Sequence, residues 1–208
     1  MTINEFVFGI ISYTMREHIV SEGDKETTHI RVACPFSLRQ TPRHELDFNF
    51  KNDFAILPID MRLIDNLDTG MRQIRDDIAY VKTSPMPFGY YYASYFILSL
   101  PLYLSNWILE DFAGKFTMGF SNVPGSKEQW TVAGYKGTAL GFSMPLGRTV
   151  PLGWGAISFG NNLKIMVCAD KAAIKDTDKL MASFETNLDK FMNSTDWRNW
   201  NPIEPLKP

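Results

Sequence analysis

His18, His29 and His44 are the only imidazoles in the chain, and none sits in a motif that pairs a nucleophile with its base. Each reads as a structural or solvated side chain. Cys34 and Cys168 lie inside apolar alternating runs and read as two buried free thiols of a reducing compartment, pointing to neither redox nor metal chemistry. No Cys/His cluster has metal-ligand spacing, and the chain has neither a Walker loop nor a dinucleotide glycine fingerprint. Gly147 to Gly155 carries glycines, but its strand-turn-strand setting presents no helix N-terminus to a phosphate. The most informative segment is Ser121-Asn122-Val123-Pro124-Gly125, a strand running into a Pro-Gly turn with two short polar side chains at the strand end. By itself it fits either a tight turn that satisfies its own backbone or a place where polar groups meet a ligand.

The elements that must position these groups alternate between helical and extended periodicity. Ile3, Phe6, Val7, Ile10, Ile11, Thr14, Met15, His18 and Ile19 share one face of a helix over residues 2–20, opened by a capping box of Thr2 and Glu5. His29 to Phe36 alternates as a strand, and a turn-rich stretch from Gln40 to Glu45 leads to a second extended run, Phe48 to Ile59. Leu67, Met71, Ile74, Ile78 and Val81 form the apolar stripe of a surface helix. Beyond Phe116, short extended runs are predicted at Phe116–Ser121, Trp130–Ala133, Thr138–Met144, Trp154–Phe159 and Leu163–Ala169, the last two joined as a hairpin through Gly160-Asn161-Asn162. A final helix spans about Asp176 to Met192, and a Pro-rich tail covers 201–208. The pattern predicts an α+β domain, a mixed sheet of mostly antiparallel strands with helices on one face.

With 208 residues, 45% of them apolar, the chain can bury a core, and 21 basic against 23 acidic residues leave a net charge of -2, which offers no footprint for nucleic acid. Met1 leads straight into the first helix pattern, unlike a secretory signal, and Asn193-Ser194-Thr195 reads as a chance glycosylation sequon. Phe88 to Leu109 carries no charge, yet Pro101 and scattered polar residues favour a helix pair over a membrane span. Its tyrosines and Trp107 suit a bilayer interface as well as a core.

Met118 to Gly125 followed by Trp130 to Gly134 resembles the strand, Ser/Thr-Asn-Val-Pro-Gly-Pro turn and next strand of the wax ester synthase/diacylglycerol acyltransferase family, with Ser126 at the place of the usual second proline. Thr2-Ile3-Asn4-Glu5 looks like the segment that opens the second half of that family, Glu5 replacing aspartate. Pro35 to Arg39, Ile56-Leu57-Pro58 and the block from Gly160 to Asp176 match further family stretches in the same order.

The resemblance implies one lobe of the fold shared by chloramphenicol acetyltransferase and the plant BAHD acyltransferases, with residues 1–200 forming a C-terminal lobe. It also implies transfer of a fatty acyl group from coenzyme A, as substrate, to diacylglycerol or a long-chain alcohol, with no metal or cofactor. The family's general base belongs to a His-His-x-x-x-Asp-Gly motif, and this sequence has no adjacent histidine pair, so the resemblance places the chain after that motif and expects no catalytic residue in it. Asn4 and Glu5 are expected near the lobe junction, and Ser121, Asn122, Pro124 and Gly125 at the acyl or coenzyme A channel. A lone lobe is expected to be intracellular, compatible with peripheral contact with a membrane or lipid droplet, and to self-associate or pair with its N-terminal lobe through an uncovered apolar face. The alternative is a non-enzymatic lipid- or partner-binding module, or a truncated gene product.

Overall fold

The computed structural model describes residues 2–39, 53–126, 128–147 and 149–193. Helix α1 spans Ile3–Ser21, strands β1 and β2 span His29–Ser37 and Phe54–Arg62, and helices α2, α3 and α4 span Leu67–Thr83, Met86–Leu98 and Leu102–Ala113. Strands β3 (Met118–Val123), β4 (Thr131–Val132), β5 (Tyr135–Lys136), β6 (Leu152–Phe159) and β7 (Asn162–Ala169) follow, and α5 (Thr177–Asn193) closes the described chain. The turn expected at Gln40–Glu45, the start of the second extended run and the C-terminal tail lie outside the described residues.

Five strands form one sheet in the order β2-β1-β3-β6-β7, while β4 and β5 pair separately. The outer pairings β1–β2 and β6–β7 are antiparallel, whereas β1–β3 and β3–β6 are parallel. The sheet is mixed, as expected, with the parallel pairings confined to its centre. Parallel neighbours need crossovers, and α2, α3 and α4 lie in the connection between β2 and β3.

Alternation sorts the strands into two faces. Val32, Met61, Met118, Phe120, Leu152 and Trp154 point into the main core beneath α1, α2 and α5. Phe8 of α1 meets Phe120 with ring centroids 5.4 Å apart, and Trp154, at 0% exposure, meets Phe184 of α5 at 5.4 Å. Helix α1 is clamped at its middle by Ser12, whose hydroxyl donates to the Arg62 carbonyl and accepts the Ile64 N–H at 3.2 Å.

The opposite face is covered as well, so the helices are not confined to one side. The α3–α4 pair lies over Phe54 and Ile56, which point away from Ala55 and Leu57. Among the described residues no helix is long and apolar enough to cross a membrane. The run expected as a strand at Thr138–Met144 is instead irregular. It crosses the sheet's outer face, where Phe142 and Met144 lie against Gly119, Gly153 and Gly155, and the Phe142 N–H points at the Met166 sulfur, 3.0 Å away. β3 and β6 each have a strand on either side, and the segment joins neither ladder. The strand expected at Trp130–Ala133 shrinks to the β4–β5 hairpin, turned by Ala133 and Gly134 at positive φ. The Gly160-Asn161 turn joins β6 to β7 as expected, with Phe159 opposite Asn162.

Trp154 has its indole N–H buried without a hydrogen-bond partner among the described residues. Trp154→Ala is therefore expected to lower stability by about 3–5 kcal/mol. Trp154→Phe, which keeps most of the ring volume and deletes an unsatisfied donor, is expected to cost less than half as much. Urea unfolding followed by far-UV circular dichroism checks both.

Candidate functional site

Because α1 runs opposite to β1, its N-terminus stands over the carboxyl ends of β1 and β3. A cavity of about 120 Å³ opens there, bounded by Asn4, Phe8, Cys34, Phe120, Asn122 and Lys82. Two of the sequence-predicted residues, Asn4 and Asn122, thus share one cavity although more than half the chain separates them. Both are half-buried and bear carboxamides that can donate and accept hydrogen bonds.

Glu5 is buried beside this cavity and completes the predicted capping box. The Thr2 N–H donates to Glu5 Oε2 at 2.8 Å, and the Glu5 N–H donates to Thr2 Oγ1 at 3.3 Å. Its other oxygen, Oε1, accepts from Lys82 Nζ at 3.0 Å. Burial pushes the Glu5 carboxyl up, but the Thr2 backbone and hydroxyl and the Lys82 ammonium together outweigh it and hold the group below its ordinary value. Glu5 therefore remains a carboxylate, satisfied by partners on two elements.

The remaining candidates do not line this cavity. Ser121 points to the opposite face, in register with Gly155 of β6. Gly125 is pressed against β6: its N–H donates to Ser158 Oγ at 3.1 Å, the Gly160 N–H donates to the Ser126 carbonyl at 2.8 Å, and a Cβ on residue 125 would overlap the Ser158 carbonyl oxygen. The Pro124-Gly125 turn is thus a backbone lock between β3 and β6, and glycine is required there by close approach.

Lys82 was not among the sequence-predicted site residues. A signal exists, since it follows Ile78 by one helical turn and continues the stripe of Met71, Ile74 and Ile78 with a charge where an apolar residue belongs. Cys34 borders the same cavity, fully buried, and burial pushes its thiol pKa up, which makes it a poor nucleophile. Cys168, expected buried, is only half-buried on β7, and both thiols are free. His18 lies in the last turn of α1, at the far end from Asn4. His29 is exposed, with Nδ1 3.0 Å from the Thr28 hydroxyl, and His44 falls outside the described residues. Among the described residues no three His, Cys, Asp or Glu side chains gather as a metal site. The arrangement can hold and orient a small polar group between two carboxamides and an ammonium.

The family model of the WS/DGAT C-terminal domain matches residues 51–191. This chain belongs to the WS/DGAT family, as its C-terminal domain. No curated protein matches it in sequence. The fold of this WS/DGAT domain is similar to that of the wax ester synthase/diacylglycerol acyltransferase from Marinobacter aquaeolei VT8, with a TM-score of 0.62 at 11% identity over 91% of this chain and 42% of that one. It is also similar to a structure of condensation domain-mediated chain release from the enacyloxin polyketide synthase (TM-score 0.55, 10% identity, 100% of this chain and 38% of that one). A third similar structure is the epimerization domain of the third module of tyrocidine synthetase B (TM-score 0.52, 12% identity, 92% and 42%). The WS/DGAT domain spans about two fifths of the length of these solved chains. The expected lobe of the acyltransferase fold is the one observed.

A carboxylate with a lowered folded-state pKa contributes stability that is fully present above its unfolded value and lost as pH falls through the folded one. Glu5→Gln is therefore expected to cost about 1 kcal/mol at pH 7. The gap to the parent chain should narrow as pH falls through the lowered folded-state value of Glu5 and close below it, where both side chains are neutral. Urea midpoints at pH 7 and pH 3 measure it; an equal gap at both would mean that the Glu5 charge contributes nothing.

Proposed function

We propose that this domain is the C-terminal lobe of an acyl-CoA-dependent O-acyltransferase that makes triacylglycerol or wax esters, and that its general base comes from a His-His-x-x-x-Asp-Gly lobe outside these 208 residues. The carrying observation is the meeting of Asn4 and Asn122 in one cavity of a WS/DGAT domain, at the carboxyl ends of parallel strands, with no histidine among the described residues that border it. In the proposed reaction the partner-lobe histidine takes the proton of the acceptor hydroxyl. The alkoxide oxygen bonds to the thioester carbonyl carbon, the C–S bond breaks, and the leaving coenzyme A thiolate recovers the proton. Asn4 and Asn122 orient a polar part of a substrate at the junction, and Glu5 with Lys82 fixes the α1 N-terminus against α2. Coenzyme A is a substrate, and no metal or resident cofactor is part of this scheme.

The chain alone is expected to show no ester formation from acyl-CoA and diacylglycerol or hexadecanol. Addition of a separately made WS/DGAT N-terminal lobe should restore turnover. With the lobes combined, Asn122→Ala should lower kcat/KM at least tenfold, equivalent to about 1.4 kcal/mol of lost transition-state binding. Ester formation by the isolated chain that survives alanine at His18, His29 and His44 would refute the assignment of the base. Failure of the pair to associate, with the chain monomeric in low and high salt, would favour a non-enzymatic module.

The α3–α4 pair supports a peripheral placement on a membrane or lipid droplet. Tyr103 and Trp107 are 77% and 67% exposed, and Phe88, Tyr92 and Phe96 are also open to water. Aromatic side chains of this kind favour the interfacial zone of a bilayer. Helices of 13 and 12 residues, at 1.5 Å per residue, fall short of the roughly 30 Å hydrocarbon thickness. Carbonate should release the protein from membranes, and Tyr103→Ser with Trp107→Ser should lower its partition onto neutral phospholipid vesicles at least tenfold in a flotation assay.

A further inference from the structure

A groove of about 750 Å³ lies where the edge strand β2 meets α2 and the first turn of α3. Arg31 and Asp60 of the β1–β2 pair, Arg62 of β2, Asp77 and Tyr80 of α2, and Met86 at the start of α3 border it. It shares Ile59 and Val81 with the Asn4–Asn122 cavity and none of that cavity's polar groups. With His29 counted neutral, the two arginines and two aspartates leave this lining without net charge. Such a lining does not favour a simple anion or a simple cation; it favours a ligand that carries both charges.

The charges are not equally committed. Arg31 donates to both oxygens of Asp60, from Nε at 2.7 Å and from Nη2 at 3.3 Å, and His29 has Nδ1 beside the Thr28 hydroxyl. Arg62 Nε and Asp77 Oδ2 are 3.7 Å apart, too far for a hydrogen bond. That Nε is buried without a hydrogen-bond partner among the described residues, while the Arg62 side chain as a whole is 40% exposed and reaches the groove. Tyr80 stands three residues after Asp77 on α2, hence beside it on the helix surface, and is 72% exposed. A cation, an anion and an open aromatic face are thus neighbours in one groove. A guanidinium takes a phosphate through paired N–H donors, and a quaternary ammonium favours an aromatic face, the more so beside a carboxylate.

We propose that this groove binds the phosphocholine headgroup of a membrane phospholipid, with the phosphate on Arg62 and the trimethylammonium between Asp77 and Tyr80. The lipid source follows from position. The groove is bounded by the first turn of α3, where Phe88 is open to water and where the aromatic surface assigned to the bilayer interface begins. That source rests on the peripheral placement proposed above; recognition of the headgroup does not.

Titration of the isotope-labelled 208-residue chain with soluble phosphocholine, followed by NMR, tests recognition without a membrane. Saturable shifts at residues 29–31, 58–62 and 77–86 are expected, with inorganic phosphate and choline each at least tenfold weaker. Arg62→Gln should weaken phosphocholine at least tenfold. Asp77→Asn should weaken phosphocholine and tighten inorganic phosphate, because it leaves the groove one positive charge; a purely structural role would move both alike. Tyr135→Ala, on the exposed β4–β5 hairpin, should change neither. Absence of saturable shifts, phosphate or choline binding as tightly as phosphocholine, or undiminished binding by Arg62→Gln overturns the proposal. Should Arg62→Gln lose its circular dichroism signal, the opposed effects of Asp77→Asn decide. Flotation with phosphatidylcholine vesicles against digalactosyldiacylglycerol vesicles identifies the source. Asp77→Asn should lower partition onto the first at least threefold and leave the second unchanged; no difference between the two vesicles overturns the lipid source. Phosphocholine binding by a chain that floats with neither vesicle would overturn the peripheral placement and the lipid source with it. Flotation without phosphocholine binding would overturn this site alone.

Discussion

The arrangement rests on the pairing of β3 with β6 at the centre of the sheet, where both faces must be covered. On one side Met118, Phe120, Leu152 and Trp154 supply bulk to the core; on the other, Gly119, Gly153 and Gly155 supply none. A strand pair with large side chains on both faces would hold any covering segment well away from the sheet. Bare backbone on the outer face lets the irregular segment carrying Phe142 and Met144 lie directly on the strands, and the Gly125 lock fixes where β3 stops against β6. With that pair set, β1 and β7 take the flanks and β2 the edge.

The three helices of the main core were legible because each has one dominant environment. Periodicity marks α1, α2 and α5 to within two residues, and the capping box at Thr2 and Glu5 fixes where α1 begins. The paired strands at His29, Met118, Leu152 and Asn162 were legible for the same reason, an alternating or continuous apolar run bounded by turn residues. Thr138–Met144 misled because its composition suits an extended chain, while strand status depends on a free ladder edge, which is a property of the whole sheet. Parallel pairing of β1 with β3 was equally hidden, since alternation does not encode direction. In the candidate site, Asn4 and Asn122 border one cavity, although the resemblance had implied different places for them, the lobe junction and the substrate channel. Ser121 departs because adjacent strand residues face opposite ways, and Gly125 proves to serve the backbone. Lys82 was masked by its residue type: a lysine near a helix end normally reads as a solvated charge favourable to the helix dipole.

Toward α1 and α2 the domain holds a small cavity lined mostly by apolar side chains, with Asn4, Asn122 and Lys82 as its polar groups and Glu5 neutralising Lys82 beside it. Toward α3 and α4 it presents uncharged aromatic and aliphatic side chains in quantity, on helices apolar around most of their circumference. A helix of that kind is ordinarily buried. Here one side rests on β2 and the rest meets solvent, so the helix pair is where the fold leaves the most hydrophobic surface unspent.

The parallel pairing of β1 with β3 also bears on how the chain assembles. Val32 must find Met118 across a loop that contains β2 and three helices, whereas β6 and β7 close through a two-residue turn. Closure of the longer loop costs more chain entropy and delays the contact. During synthesis α1, β1, β2 and α2 emerge with the inner edge of β1 still unpaired, and that edge stays open until residue 118 arrives. An unpaired hydrophobic strand edge is a template for pairing between nascent chains. The interval between synthesis of β1 and of β3 is therefore when the inner edge of β1 is open to mispairing.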